Sequence, residues 1–366
     1  MITRNELNIR HAKSEDAIEV CKLLKKLGLN QPANQEAIQH WQRLWNENPF
    51  YKTFKLEYFY GWVMEHNGKI VGFFGNIPRI YSLNDKLIPV AIASQWGVKK
   101  EYRQYTDLLS EKFFNENPIT LKLVTTAIKP TGRIFEKFNG KRVPNNQLDN
   151  VYMVPFDLFK LIQHKYTNSL LKFFITFLSY IIPWKWKFRT IKKNNAIREI
   201  KIENAENNLE EFLNRFMNQS KGLIATRNLE TLKWFYLGGI RRLEKKFFIY
   251  EEKNIITGFA SIIEEPIEGN SSIKRFKVID VLAETNKVKK EIITELIRNS
   301  FEMKADVLEF HHCGLINKSE IPFFILTRKY KQFPAYYHSS DSELDLILNN
   351  QNSWNLMPFD GDTALS

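Results

Sequence analysis

From Ala91 to Asp107 the chain reads Ala91-Ile92-Ala93-Ser94-Gln95-Trp96-Gly97-Val98-Lys99-Lys100-Glu101-Tyr102-Arg103-Gln104-Tyr105-Thr106-Asp107, a mainly apolar strand running through polar residues into a helix start. The first N–H groups of a helix have no partner within it and lie at the positive end of its dipole. Arg103, Gln104, Tyr105, Thr106 and Asp107 therefore mark a corner suited to an anion, above all a phosphate. Ser94, Gln95 and Glu101 are the nearby groups able to help move a proton. His311-His312-Cys313 has metal-ligand residue types, but neighbours in a strand point to opposite faces and cannot converge on one ion. It reads as a strand end, and no metal site is expected. Trp41 and Trp45, one helical turn apart, can stack on a sugar ring or fill a core, and the core reading is preferred. The terminal Trp354-Asn355-Leu356-Met357-Pro358-Phe359-Asp360-Gly361-Asp362 is aromatic enough to dock. Its two carboxylates either hold an amine or stay in water.

The elements that must position these residues follow from periodicity. Leu7–His11 reads as a strand, and Ser14 can cap a helix whose apolar stripe is Ala17, Cys21, Leu24 and Leu27. A second helix spans about 35–46. Asn67-Gly68 joins strands 58–66 and 69–77, because these residue types accept the positive φ angles of a two-residue turn. Strands 79–81 and 88–98 flank Asn84-Asp85; a helix at 108–115, a strand at 120–127 and a helix at 132–138 follow. The later half repeats the order: helix 229–236, strands 247–252 and 255–263 about Lys253-Asn254, strand 273–283, helix 288–301 and strand 306–312. Gly72 and Gly258, Val98 and Val281, and Leu123 and Leu308 recur at nearly constant offsets, which indicates a duplicated α+β unit.

The 366 residues suffice for two domains, and the hydrophobic and charged fractions, 43% and 26%, exclude a disordered chain or a multi-span membrane protein. Two cysteines, Cys21 and Cys313, allow no disulfide framework, and the polar start is unlike a signal peptide; a cytoplasmic setting is expected. Of the net charge of +12, +9 falls between Lys160 and Lys201. The near-neutral remainder argues against a general nucleic-acid coat. Within that stretch, Ser169–Ile182 reads as an amphipathic helix too short to span a bilayer, followed by Trp184-Lys185-Trp186-Lys187-Phe188-Arg189. Segment 169–193 thus suits an anionic membrane surface, or a linker helix packed between domains.

The Ala91–Arg103 run resembles the central strand and following loop of the GNAT superfamily, the acyl-CoA N-acyltransferases, over about residues 7–155, with a weaker copy over 200–350. The resemblance implies backbone pairing of Trp96, Gly97 and Val98 with a pantetheine arm, and a coenzyme A pyrophosphate at Arg103–Asp107. It also implies direct attack of an amine on the thioester. Two departures stand out. The small residues of the family's phosphate loop are replaced by Thr106 and Leu108, and Phe135 falls where a proton-donating tyrosine is often placed. In the second half Glu284, Thr285, Asn286 and Lys287 carry no glycine or arginine, which suits a structural or acceptor-binding copy.

The expected fold is α+β: two GNAT-like domains, each a mixed, mainly antiparallel sheet flanked by helices. They lie at 1–158 and 202–366, with a basic linker at 159–201. The expected function is N-acyl transfer, from acetyl-CoA or another acyl-CoA, to a small-molecule amine. Resemblance to doubled members of surface-polysaccharide pathways suggests an amino sugar. A non-catalytic scaffold on this fold and a peptide-forming aminoacyl transferase are the alternatives.

Overall fold

A computed structural model describes residues 2–362 except 34, 58, 145–149, 166–187, 206, 238–243, 266–272, 312–314, 324 and 330–333. Its strands are β1 Leu7–His11, β2 Gly61–His66, β3 Lys69–Leu83, β4 Lys86–Val98, β5 Leu121–Val124, β6 Lys141–Arg142, β7 Asn150–Pro155, β8 Ile197–Ile200, β9 Ile224–Ala225, β10 Lys245–Glu252, β11 Ile255–Glu264, β12 Arg275–Ala283, β13 Val307–Phe310, β14 Leu326–Lys329 and β15 Tyr336–Ser339. The helices are α1 Ala17–Lys26, α2 Gln35–Trp41, α3 Pro49–Phe54, α4 Thr106–Glu111, α5 Lys129–Lys137, α6 Leu158–Lys165, α7 Asn207–Gln219, α8 Leu229–Leu237, α9 Asn286–Glu302 and α10 Ser342–Leu348.

All three expected hairpin turns form. Asn67 and Gly68, Asn84 and Asp85, and Lys253 and Asn254 each place two consecutive residues at positive φ, the conformation whose twist matches the flanking strands. Two local expectations are corrected. Asp16, not Ser14, accepts the Lys13 N–H before α1. Residues 69–77 and 79–81 belong to one strand, β3. Pro78 is tolerated inside it because β2 stops pairing at Gly61–Gly75, so no ladder partner asks for its missing N–H.

The first sheet runs β1-β2-β3-β4-β5-β15-β6, with β9 beside β3; the second runs β14-β7-β13-β12-β11-β10-β8. The five-strand unit of the first half is repeated in the second: three antiparallel pairings, then one parallel pairing, β4 with β5 and β12 with β13. The strand next to that parallel pair is exchanged. Antiparallel β15, from the later half, pairs with both β5 and β6. Antiparallel β7, from the earlier half, pairs with β13 and β14. Each sheet therefore draws a strand from both sides of the basic stretch at 159–201.

The larger core fills the first sheet and the seam between halves; the smaller lies around α9 on the second sheet. Trp41 and Trp45 belong to the larger core, and the Trp45 indole donates to the Asn76 carbonyl at 2.7 Å. Residues 169–187 lie outside the described residues. Of the aromatic-basic run, Phe188 packs on Phe156, Phe301 and Phe323 in the smaller core. No helix among the described residues is long and apolar enough to cross a membrane.

Candidate active site

The parallel pairing of β4 with β5 ends at Ile92–Leu123, while β4 runs on to Val98. Past that point the two strands part, leaving a fork whose β4 side is Ala93–Val98. The register between β3 and β4 slips between Phe73–Gly97 and Gly75–Ser94, and Gln95 sits at φ 52°. This is a β-bulge, a feature that re-aims side chains at the fork's edge. Its strain is local, since Gln95 is not glycine.

Ser94, Gln95 and Trp96 fan out from the bulge. The Ser94 hydroxyl donates to the Asp362 carboxylate at 2.7 Å. The Gln95 amide lies 3.4 Å from the His40 imidazole on α2. Burial, with Arg43 nearby, pushes His40 down to about 4, so it stays neutral. Trp96 stacks flat on Phe74 at 4.3 Å. Gly97 lies under α1: a Cβ there would come within 2.8 Å of Leu24 and Leu27. Val98 is buried.

Beyond Val98, residues Lys100–Tyr105 form a 3-10 turn leading into α4, which passes into a π-helical turn over Lys112–Glu116. Arg103 and Gln104 are exposed. The Thr106 hydroxyl donates back to the Arg103 carbonyl at 2.6 Å, Tyr105 donates to the Ile2 carbonyl, and Asp107 pairs with Lys137. Glu101 is exposed in this turn. Ser94 and Gln95 are thus brought to the fork. Glu101 belongs to the corner beyond it and is not among the groups converging on Ser94.

The Asp362 carboxyl comes from the far end of the chain. The terminal segment docks, as its aromatics suggested. Phe359 packs on Phe235 and lies under the Arg79 guanidinium. Arg79 donates to the carbonyls of Phe359 and Gly361, the latter at 2.9 Å. Tyr81 donates to the Asp360 carbonyl. Gly361 passes so close to β5's end that a Cβ would stand 2.0 Å from the Thr125 hydroxyl. The docked segment sets Asp362 against Ser94, and burial raises its carboxyl above the usual carboxylate range, with Ser94 and the Arg79 charge countering.

The second sheet repeats the fork. Pairing of β12 with β13 ends at Val278–Phe310, β12 continues to Ala283, and the register slips in the corresponding strand pair, between Ser261–Asp280 and Ile262–Val278. Its contents differ. Arg227, fully buried, binds Asp280 at 3.1 Å and Asp360 at 2.7 Å, and both carboxylates are also 0% exposed. Downstream, Thr285 accepts the Val288 N–H and caps α9 itself. Glu284 is held by Arg215, and Lys289 by Glu320. His311 binds Glu309 at 2.8 Å, while His312 and Cys313 lie outside the described residues. No group of three or more possible metal ligands occurs among the described residues. A half-open groove of about 330 Å³ between β8 and the start of α7 shares no residue with either fork.

Asp362 was visible beforehand only as one of two carboxylates in a tail expected to dock. His40 carried no signal at all, because a lone histidine in a helix pattern gives none.

No protein-family model and no curated protein matches the sequence. Solved structures do match its fold. A GCN5-related N-acetyltransferase from Anabaena variabilis superposes with a TM-score of 0.58 at 12% identity, over 90% of this chain and 72% of that one. A probable N-acyltransferase from Enterococcus faecalis gives 0.58 at 9% identity, over 91% and 72%. Saccharomyces cerevisiae N-myristoyltransferase with bound myristoyl-CoA gives 0.54 at 12% identity, over 92% and 84%. Across nine-tenths of its length, then, the chain has the GCN5-related N-acetyltransferase fold, laid out as two GNAT-like units.

Proposed function

We propose that the protein is an acyl-CoA-dependent N-acyltransferase whose working site is the fork of the first sheet. The observation that carries this reading is the Asp362 carboxylate on Ser94 at the fork's edge, a proton acceptor where two parallel strands part. Along Trp96, Gly97 and Val98 the β4 backbone pairs with β3 on one side and has no β5 partner on the other, an edge that suits an amide-bearing pantetheine arm. The corner at Arg103–Asp107 suits its phosphates through exposed Arg103 and the α4 start. Bound there, acetyl-CoA supplies an activated carbonyl. The chain's own part is to align it, exclude water and take one proton.

The incoming amine forms the C–N bond as the C–S bond breaks, and its proton passes to Asp362, directly or through the Ser94 hydroxyl. A carboxyl raised by burial is a stronger base than an exposed one, which favours this transfer near neutral pH. The acceptor we favour is a small amine, an amino sugar by the resemblance of the sequence. The basic, aromatic 169–193 run supports a contact with anionic lipid on the cytoplasmic face. The second fork, filled by Arg227 and its two carboxylates, supports a scaffold role for the later half.

Thermal unfolding with and without acetyl-CoA tests the proposal. At 100 times its dissociation constant a ligand adds about 2.7 kcal/mol of stability. Protection lost in Thr106→Trp is the expected result. No protection by any coenzyme A derivative overturns the enzymatic reading.

A further inference from the structure

Lys122 lies on β5 one residue before the last pair of the fork, opposite Ala91 on β4 and His338 on β15. Directly paired residues share a face of a sheet, so these three form a row beneath the π-helical turn and α5. Phe114 from that turn meets the His338 ring at 5.4 Å and the Phe135 ring at 4.9 Å. Phe135 is the residue standing where a proton donor is absent. Lys122 is 2% exposed. Among the described residues no carboxylate pairs with it: Asp345, the acid that acts on neighbouring His338, is engaged by Lys141 at 2.6 Å. Ala91 and the aromatic rings around the row offer no charge, and His338 is itself pulled below its ordinary value by burial and by Lys122.

A buried, unpaired ammonium is costly, and a protein gains stability by losing one. Its placement here fits a chemical need. Breaking the thioester releases a thiolate in the fork, and no other residue described above protonates it. We propose that Lys122 is the acid that protonates the departing thiolate. This rests on the acyl-CoA reading of the fork. The C–N bond forms as the C–S bond breaks. The sulfur takes a proton from the Lys122 ammonium, the amine's proton goes to Asp362, and both side chains then exchange with water. Burial brings Lys122 down to about 8, which suits an acid working near neutral pH.

The test compares Lys122→Met and Lys122→Arg with the unaltered protein on two donors, acetyl-CoA and a nitrothiophenyl acetate whose leaving thiolate needs no proton. We expect kcat with acetyl-CoA to fall about 100-fold in both variants, with KM nearly unchanged. Turnover of the aryl thioester should persist, and the fall in kcat above pH 8 expected of the unaltered protein should vanish. The melting temperature of Lys122→Met should equal or exceed that of the unaltered protein. Equal losses on both donors, or unchanged turnover of acetyl-CoA, overturn the assignment of Lys122 alone. A lowered melting temperature accompanying the loss does the same, since it marks a structural role. Absence of coenzyme A binding in calorimetry overturns the reading of the fork itself, and this proposal with it.

Discussion

The two forks share a backbone plan and differ in what the chain's last residues put into them. In the first, Asp362 meets a neutral hydroxyl, Ser94, and its carboxyl is pushed upward by burial. In the second, Asp360 and Asp280 grip Arg227 with no solvent exposure. An arginine between two carboxylates binds both and holds them in place. A carboxylate whose side-chain hydrogen bonds come from the hydroxyls of Ser94 and Thr126 can exchange its proton. Two acids two residues apart thus serve opposite ends: Asp360 fastens the tail so that Asp362 can work.

The largest expected effect of breaking this contrast is on the fastening. Asp360→Asn leaves Arg227 short of a partner at the centre of the seam and should cost about 3–5 kcal/mol in denaturant unfolding. A loss under about 1 kcal/mol would show that the triad does not anchor the tail. Asp362→Asn should leave the melting temperature nearly unchanged and lower kcat about 100-fold or more. The pH profile sharpens this. A carboxyl raised in the folded protein is ionised only above its elevated value, so turnover should rise with pH through a point above 3.8. That limb should disappear in Asp362→Asn, and its survival would place the base elsewhere. Gly361→Ala forces a methyl against Thr125 and should cost about 1–3 kcal/mol together with turnover, because Asp362 moves with the tail. Arg103→Ala should weaken coenzyme A binding by on the order of 1 kcal/mol, whereas Lys287→Ala in the second half should leave it unaltered in calorimetry.

Much of the architecture was legible because its signals are local. Asn67-Gly68 and Asn84-Asp85 favour their hairpins by φ preference, Lys253-Asn254 lies between two apolar runs, and the repeated order of elements revealed two units. The exchange of β7 and β15 was not legible. A short apolar strand states which face it buries, never which sheet receives it. The corner at Arg103 and the strand at Ser94 carried a pattern. Asp362 joins Ser94 across 268 residues, and Lys122 sits in a strand whose alternation said only that some side chain faces inward. Residues 69–77 and 79–81 join into one strand across Pro78 for a physical reason: proline breaks a strand only where a neighbour needs its N–H.

Hydrogen exchange with and without acetyl-CoA tests the difference between the forks most directly. Protection confined to amides of Ala93–Val98 and the Arg103–Asp107 corner, with Ile279–Ala283 unchanged, is the predicted result. Equal protection of both stretches, or of neither, would contradict a single working fork.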